Sequence, residues 1–117
     1  MATPPERAWD AGPIPVLHLL NGEQYSGLER LVDRLVDAAP SHGFRLVLAL
    51  LKPGRMRLRM SSRLAEIHEV QMRSRFDLGV ADRVGAIAVA AGCRLLHSHT
   101  VRSARVARRC TSPPVLP

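Results

Sequence analysis

Strands and helices alternate along this 117-residue chain, which predicts an α/β fold: a Rossmann-like, three-layer domain built on a parallel sheet. Three observations carry that prediction. An apolar run from Val16 to Leu20 breaks into a glycine-bearing loop and then opens an amphipathic helix; a second run, Phe44 to Leu51, stops at Lys52-Pro53-Gly54; and short connections join the successive elements. Near-continuous apolar strands suit a sheet covered on both faces, and parallel neighbours require right-handed helical crossovers. The length is that of one domain.

Residues 1–13 are expected to be a disordered leader. Pro4, Pro5 and Pro13 interrupt it, followed by Pro15, and it lacks the continuous apolar core of a secretory signal. After the first strand, Leu28, Leu31, Val32, Leu35, Val36 and Ala39 recur at helical spacing. Ser26 and Glu29 read as a capping box at the start of this helix, and Pro40 with Gly43 as its end. Phe44 to Leu51 completes one βαβ unit.

Between Arg55 and Arg63, arginine alternates with Met56, Leu58 and Met60, and the conformation stays open. A short helix from Ser61 or Ser62 to Glu66 is one reading. Glu69 to Met72 is expected to be the third strand, residues 73–76 a loop, and Asp77 the cap of a helix carrying Val80, Val84, Ile87, Ala88 and Ala91. Gly92 is well placed to end that helix. Arg94 to Ser98 forms the next strand, and a helix follows from about Val101 to Arg109. Pro113-Pro114-Val115-Leu116-Pro117 is too proline-rich for a central strand.

Composition narrows the function classes. Seventeen Lys and Arg against ten Asp and Glu give a formal charge of +7, and Lys52 is the single lysine, so the surface should attract anions. One tyrosine, one tryptophan and two phenylalanines, with no basic recognition helix or stacking motif, argue against a nucleic-acid partner. Cys93 and Cys110 lack the close pairing of a metal site, so no metal ligands are assigned and the chain is read as intracellular and reduced. No segment approaches the ~20 apolar residues of a membrane span. The expected location is the cytoplasm, at most peripheral to a membrane, where Arg55, Arg57, Arg59 and Arg63 form either a basic face toward anionic headgroups or a plain solvated face.

In parallel sheets ligands lie beyond the carboxyl ends of the strands, here residues 21–27, 52–54, 73–76 and 99–100. Gly22 and Gly27 let the first loop approach a ligand closely, and the helix start behind Ser26 presents unpaired N–H groups suited to phosphate or sugar. Arg73 and Arg75 at the third edge suit a clamp on phosphate or carboxylate, against the alternative of a solvated loop. His99 and Thr100 lie just past the fourth strand. His97, two residues before His99 on the same strand face, reads as a core residue.

Residues 16–22, with Tyr25-Ser26-Gly27-Leu28-Glu29-Arg30, resemble the opening of family 4 glycosyltransferases of the GT-B fold, which often read Gly-Gly-Ala-Glu-Arg there. The likeness continues through Leu51-Lys52-Pro53-Gly54, residues 72–78 and Leu96-His97-Ser98-His99-Thr100, in the family's order. It spans residues 14–105, and several motifs in register are more specific than any one. The resemblance implies a retaining transferase that moves a sugar from a nucleotide-sugar donor to a sugar or glycolipid acceptor. This chain would supply the N-terminal, acceptor-side half, inactive without the C-terminal domain that holds the nucleotide sugar. It also implies His99 as the catalytic candidate, close to the acceptor, where an imidazole can hydrogen-bond a hydroxyl or shuttle a proton. Gly22, Ser26, Gly27, Arg73, Arg75 and Thr100 are the substrate-binding candidates. No resident cofactor is expected.

Ser26 and Leu28 depart mildly from the family loop. Residues 106–117 depart more, lacking the apolar helix and following strand of the family, and are expected to form an irregular, truncated tail that leaves a sheet edge unpaired. The competing reading is a non-catalytic sugar- or anion-binding remnant; a basic nucleic-acid-binding protein stands behind it.

Overall fold

A computed structural model describes residues 12–52, 54–74, 77, 79–110 and 115–116. The expected leader, apart from Gly12 and Pro13, lies outside the described residues, as do Arg75, Phe76 and Leu78. The chain runs β1 (Ile14–Leu20), α1 (Gly27–Ala38), a 3₁₀ turn (Ala39–His42), β2 (Phe44–Leu50), α2 (Arg55–Arg59), β3 (Glu66–Glu69), α3 (Gly79–Ala90), β4 (Leu95–Ser98), α4 (Val101–Ala107) and β5 (Val115–Leu116). The strands form one parallel sheet in the order β3-β2-β1-β4-β5. The fold is therefore the expected Rossmann-like α/β architecture, with the order reversing direction on either side of β1.

Period-two alternation assigns the two faces. Leu17, Leu19, Val47, Ala49 and Leu96 pack under Val80, Val84 and Ala88 of α3 and Val106 of α4. Leu20, Leu46, Leu48 and Leu50 face Val32 and Val36 of α1 and Met56 of α2. Burial on both sides explains why β1 and β2 read as continuous apolar runs.

Several local expectations shift. The third strand is Glu66–Glu69, not Glu69 to Met72. It is an edge strand, so its polar residues are tolerated, while the buried Val70 and Met72 follow it as extended chain whose N–H groups donate to Leu50 and Leu51 carbonyls. The short helix is Arg55–Arg59, not 61–66. It is anchored by the fully buried Met56 and by hydrogen bonds from Arg55 and Met56 N–H to the Glu23 and Gly22 carbonyls. Gly54 permits this approach: a Cβ there would lie 2.6 Å from the Glu23 carbonyl oxygen.

No capping box forms at α1, because the Ser26 hydroxyl donates to the Glu29 carboxylate (3.1 Å) and caps no backbone N–H. The box occurs at α4, where Ser103 N–H donates to Thr100 Oγ1 (3.0 Å) and Thr100 N–H to Ser103 Oγ (2.7 Å). Gly92 does end α3, at φ +71, with Cys93 N–H donating back to Ala88. Asp77 precedes α3 and ties its loop down, accepting from Arg73 N–H and the Arg83 guanidinium, both at 3.2 Å. The strand expected to be missing after α4 is present as β5, paired with Leu96 and His97 of β4. β5 lies at the sheet edge rather than in a central position.

Sequence reading overlooked Asp33. This buried carboxylate on α1 accepts from Tyr25 Oη (2.5 Å), Ser61 N–H (2.8 Å) and Ser62 N–H (3.0 Å). These bonds hold its pKa below the usual carboxylate range, although burial alone pushes the other way. The site thereby fixes the irregular segment between α2 and β3. Asp33→Ala is expected to cost about 3 kcal/mol, since it strips a charged acceptor from buried donors; urea denaturation measures it. Gly54→Ala should cost about 1–3 kcal/mol through its clash, whereas Gly27→Ala, which meets open space, should change stability by no more than about 0.5 kcal/mol.

Candidate functional site

Each parallel strand ends at the same side of the sheet, so the loops after β1, β2, β3 and β4 share one edge. After β1, Asn21 to Ser26 curl back over β2: Gly22 adopts φ +78 above the Leu50 side chain, and Lys52 N–H donates to the Asn21 carbonyl. The Asn21 side-chain oxygen is buried and has no hydrogen-bond partner among the described residues. An orphaned acceptor at a strand mouth is costly unless a donor from elsewhere reaches it.

Beside this loop lies a small cavity of about 150 Å³ lined by Gln24, Tyr25, Ser26, Arg55 and Arg59. The two arginines come from α2, so the structure adds them to the Ser26 side of the edge. Sequence reading had put them only on a solvated or headgroup-facing surface. Gly27 opens α1 with nothing crowding it, and the free N–H groups of that first turn carry partial positive charge. Arg73 is exposed, and its backbone is held by Asp77. Arg75 lies outside the described residues. Thr100 serves as the α4 cap, its hydroxyl engaged with Ser103.

His99 does not stand alone. β1 pairs with β4 so that His18 lies opposite His97, and His99 N–H donates to the Leu19 carbonyl just beyond the ladder. The three rings gather on the α1 side of the sheet. Their centroids are 4.3 Å apart for His97 and His99, and 5.0 Å for each with His18. His18 Nδ1 and His99 Nε2 are 2.7 Å apart, a hydrogen bond in which one neutral ring donates. His18 is buried, and the other two rings are half-buried. Burial, and then repulsion from His99 and His97, pushes His18 down to about 3. Burial, and then His97, pushes His99 down to about 4. Both rings are therefore neutral near pH 7.

An apolar groove of about 390 Å³, lined by Val16, Leu35, Phe44, Leu46 and Leu95, reaches His18 from the amino ends of the strands. His97, expected in the core, belongs to the cluster, and His18 was missed altogether. The available signal was parity: with β4 beside β1, positions 18, 97 and 99 fall on one face. The chain matches no protein-family model, no curated protein and no solved structure in comparisons with each.

The lowered histidine pKa values make stability depend on pH. Between the ordinary imidazole value of 6.5 and the folded values near 3 and 4, the unfolded chain binds more protons than the folded one. Stability is thus complete above pH 6.5 and falls as the solution is acidified through that window. His18 alone should remove on the order of 3 kcal/mol between about pH 7 and pH 4. Denaturant titrations of chelator-treated protein across this range test it, and His18→Phe should flatten the profile.

Proposed function

We propose that this chain is the acceptor-side half of a two-domain GT-B glycosyltransferase of the family 4 type, inactive by itself. One observation carries the reading: the segments that resemble the family, residues 16–22 with 25–30, 51–54, 72–78 and 96–100, run in their described residues across successive strand-to-helix junctions of a single sheet edge. In an open parallel sheet that edge, next to the reversal of strand order at β1, is where ligands bind.

The roles follow from the geometry. The loop from Gly22 to Gly27, the α1 N-terminus and the Arg55–Arg59 cavity provide a cationic wall for a phosphate or sugar of the acceptor. His99 has Nε2 against His18 and keeps Nδ1 for a hydroxyl of the sugar. With its pKa near 4, this imidazole is a weak base at neutral pH, so its task is to orient the hydroxyl by a hydrogen bond rather than to take its proton. Thr100 and Arg73 support the edge, Thr100 by capping α4 and Arg73 through exposed positive charge. The nucleotide sugar would sit on a second domain across the cleft. Arg55 and Arg59 would face anionic headgroups when the acceptor is a glycolipid, whereas the Arg57 guanidinium is paired with Glu69 at 3.0 Å.

The arginine-lined cavity also favours a second reading, anion or sugar binding without catalysis. The test is nucleotide-sugar turnover by the purified chain, alone and with a separately expressed family 4 C-terminal domain. No turnover alone and turnover with the second domain are expected, and His99→Ala should lower the latter by about 100-fold through lost positioning of the hydroxyl. Turnover by the chain alone overturns the half-enzyme reading. Saturable acceptor binding with no turnover in either arm establishes the non-catalytic alternative.

A further inference from the structure

We propose that His18, His97 and His99 form a three-histidine site for a divalent transition-metal ion, zinc in first place. One ring nitrogen from each residue lies within 4.8 Å of the others. His18 and His97 lie opposite each other on two adjacent strands whose register is fixed by backbone pairing, and His99, one residue past β4, is tethered by its N–H to Leu19 and Ser103. Sites built on such paired backbone hold their ligands more firmly than sites on loops.

The chemistry of the cluster asks for a shared partner. Three imidazoles gather with the His97 and His99 rings nearly parallel (17°) and His18 tilted 20° from His99, and only one nitrogen–nitrogen hydrogen bond forms, between His18 and His99. The His97 ring nitrogens have no hydrogen-bond partner among the described residues, only ring contacts. A metal ion at the centre would engage a lone pair from each ring. Neutral imidazole is the form that binds metal, and burial keeps His18 and His99 in that form.

The fit requires small movements. With zinc–nitrogen bonds of about 2.0–2.1 Å in a tetrahedral site, ligand nitrogens sit about 3.3 Å apart. The 2.7 Å His18–His99 pair must open by roughly 0.6 Å, the widest separation must close by about 1.5 Å, and the half-buried His97 and His99 rings must rotate out of their near-parallel arrangement so that their planes meet at the ion. Three imidazoles with a fourth position toward the half-exposed side make an open site. Because all three ligands are neutral, both positive charges remain on the ion, and the fourth position favours hydroxide or an anionic oxygen.

No carboxylate is hydrogen-bonded to the outer nitrogens of these rings among the described residues. Such partners typically add 10–100-fold in affinity, so the expected dissociation constant is on the order of 1 µM. The inference does not rest on the glycosyltransferase reading; a bound ion would replace the His18–His99 hydrogen bond in holding the His99 ring.

The experiment uses the untagged full chain, stripped with a chelator and desalted, titrated with zinc by calorimetry and with cobalt(II) by visible absorption. One equivalent, with the absorption of a tetrahedral cobalt centre, is expected. His97→Gln and His99→Gln should each weaken binding by about 100-fold or more with an unchanged far-ultraviolet dichroism spectrum. A His42→Gln, His68→Gln double variant should bind as the parent does. No binding at about 100 µM metal, or binding that survives His97→Gln, overturns the proposal, as does loss of binding only in the double variant. Should the cluster variants fail to fold, imidazole NMR signals of the parent decide. Shifts of His18, His97 and His99 with one equivalent of zinc support the site, and their invariance overturns it.

Discussion

The pairing of β1 with a strand on each side is the constraint on which the rest depends. Seven residues of β1 match seven of β2, and four match β4, all in parallel. A parallel strand cannot reach its neighbour through a tight turn, so the chain must cross over the sheet between partners. Those crossovers lay α1 and α2 on one face and α3 and α4 on the other. The same ladder aligns the carboxyl ends of the strands and gives the domain a single ligand-facing edge.

The crossovers are not equally self-supporting. The α3 side rests on small apolar residues closing on Leu17, Leu19 and Leu96. The α1 side adds a polar fixture, because the connection after α2 is irregular and its backbone donors need partners. Asp33 meets that need for Ser61 and Ser62, and the Met56 side chain seals α2 against the sheet. Close contact of Gly54 with Glu23 then brings α2 against the β1 loop, which places Arg55 and Arg59 beside Ser26. A basic stretch whose conformation stays open in the sequence thus becomes one wall of the candidate site.

The histidine cluster has the same origin. Burying uncharged imidazoles costs desolvation that one hydrogen bond offsets only in part. β1 is otherwise apolar where it is buried, so His18 is a local departure from consistency between sequence and fold. Departures of that kind concentrate at functional sites. Both functional proposals draw on this point in the sheet, one through His99 alone and the other through all three rings.

The sequence by itself determined the fold class, the buried strands β1 and β2, the helices α1 and α3 and the glycine that ends α3, because long apolar periodicities and turn residues act locally. It placed β3 three residues too late, since an edge strand carries no apolar pattern and Val70 and Met72 are buried just beyond it. It mistook Ser26 and Glu29 for a capping box, because spacing does not reveal which way a hydroxyl turns. At the candidate site His99 and the glycine loop were legible as strand-end residues. His18 as their neighbour, Asp33 as an anchor and Arg55 with Arg59 as a cavity wall were not. Each depends on contacts between residues distant in sequence, and only strand order, register and helix docking in the tertiary structure decide which of them meet.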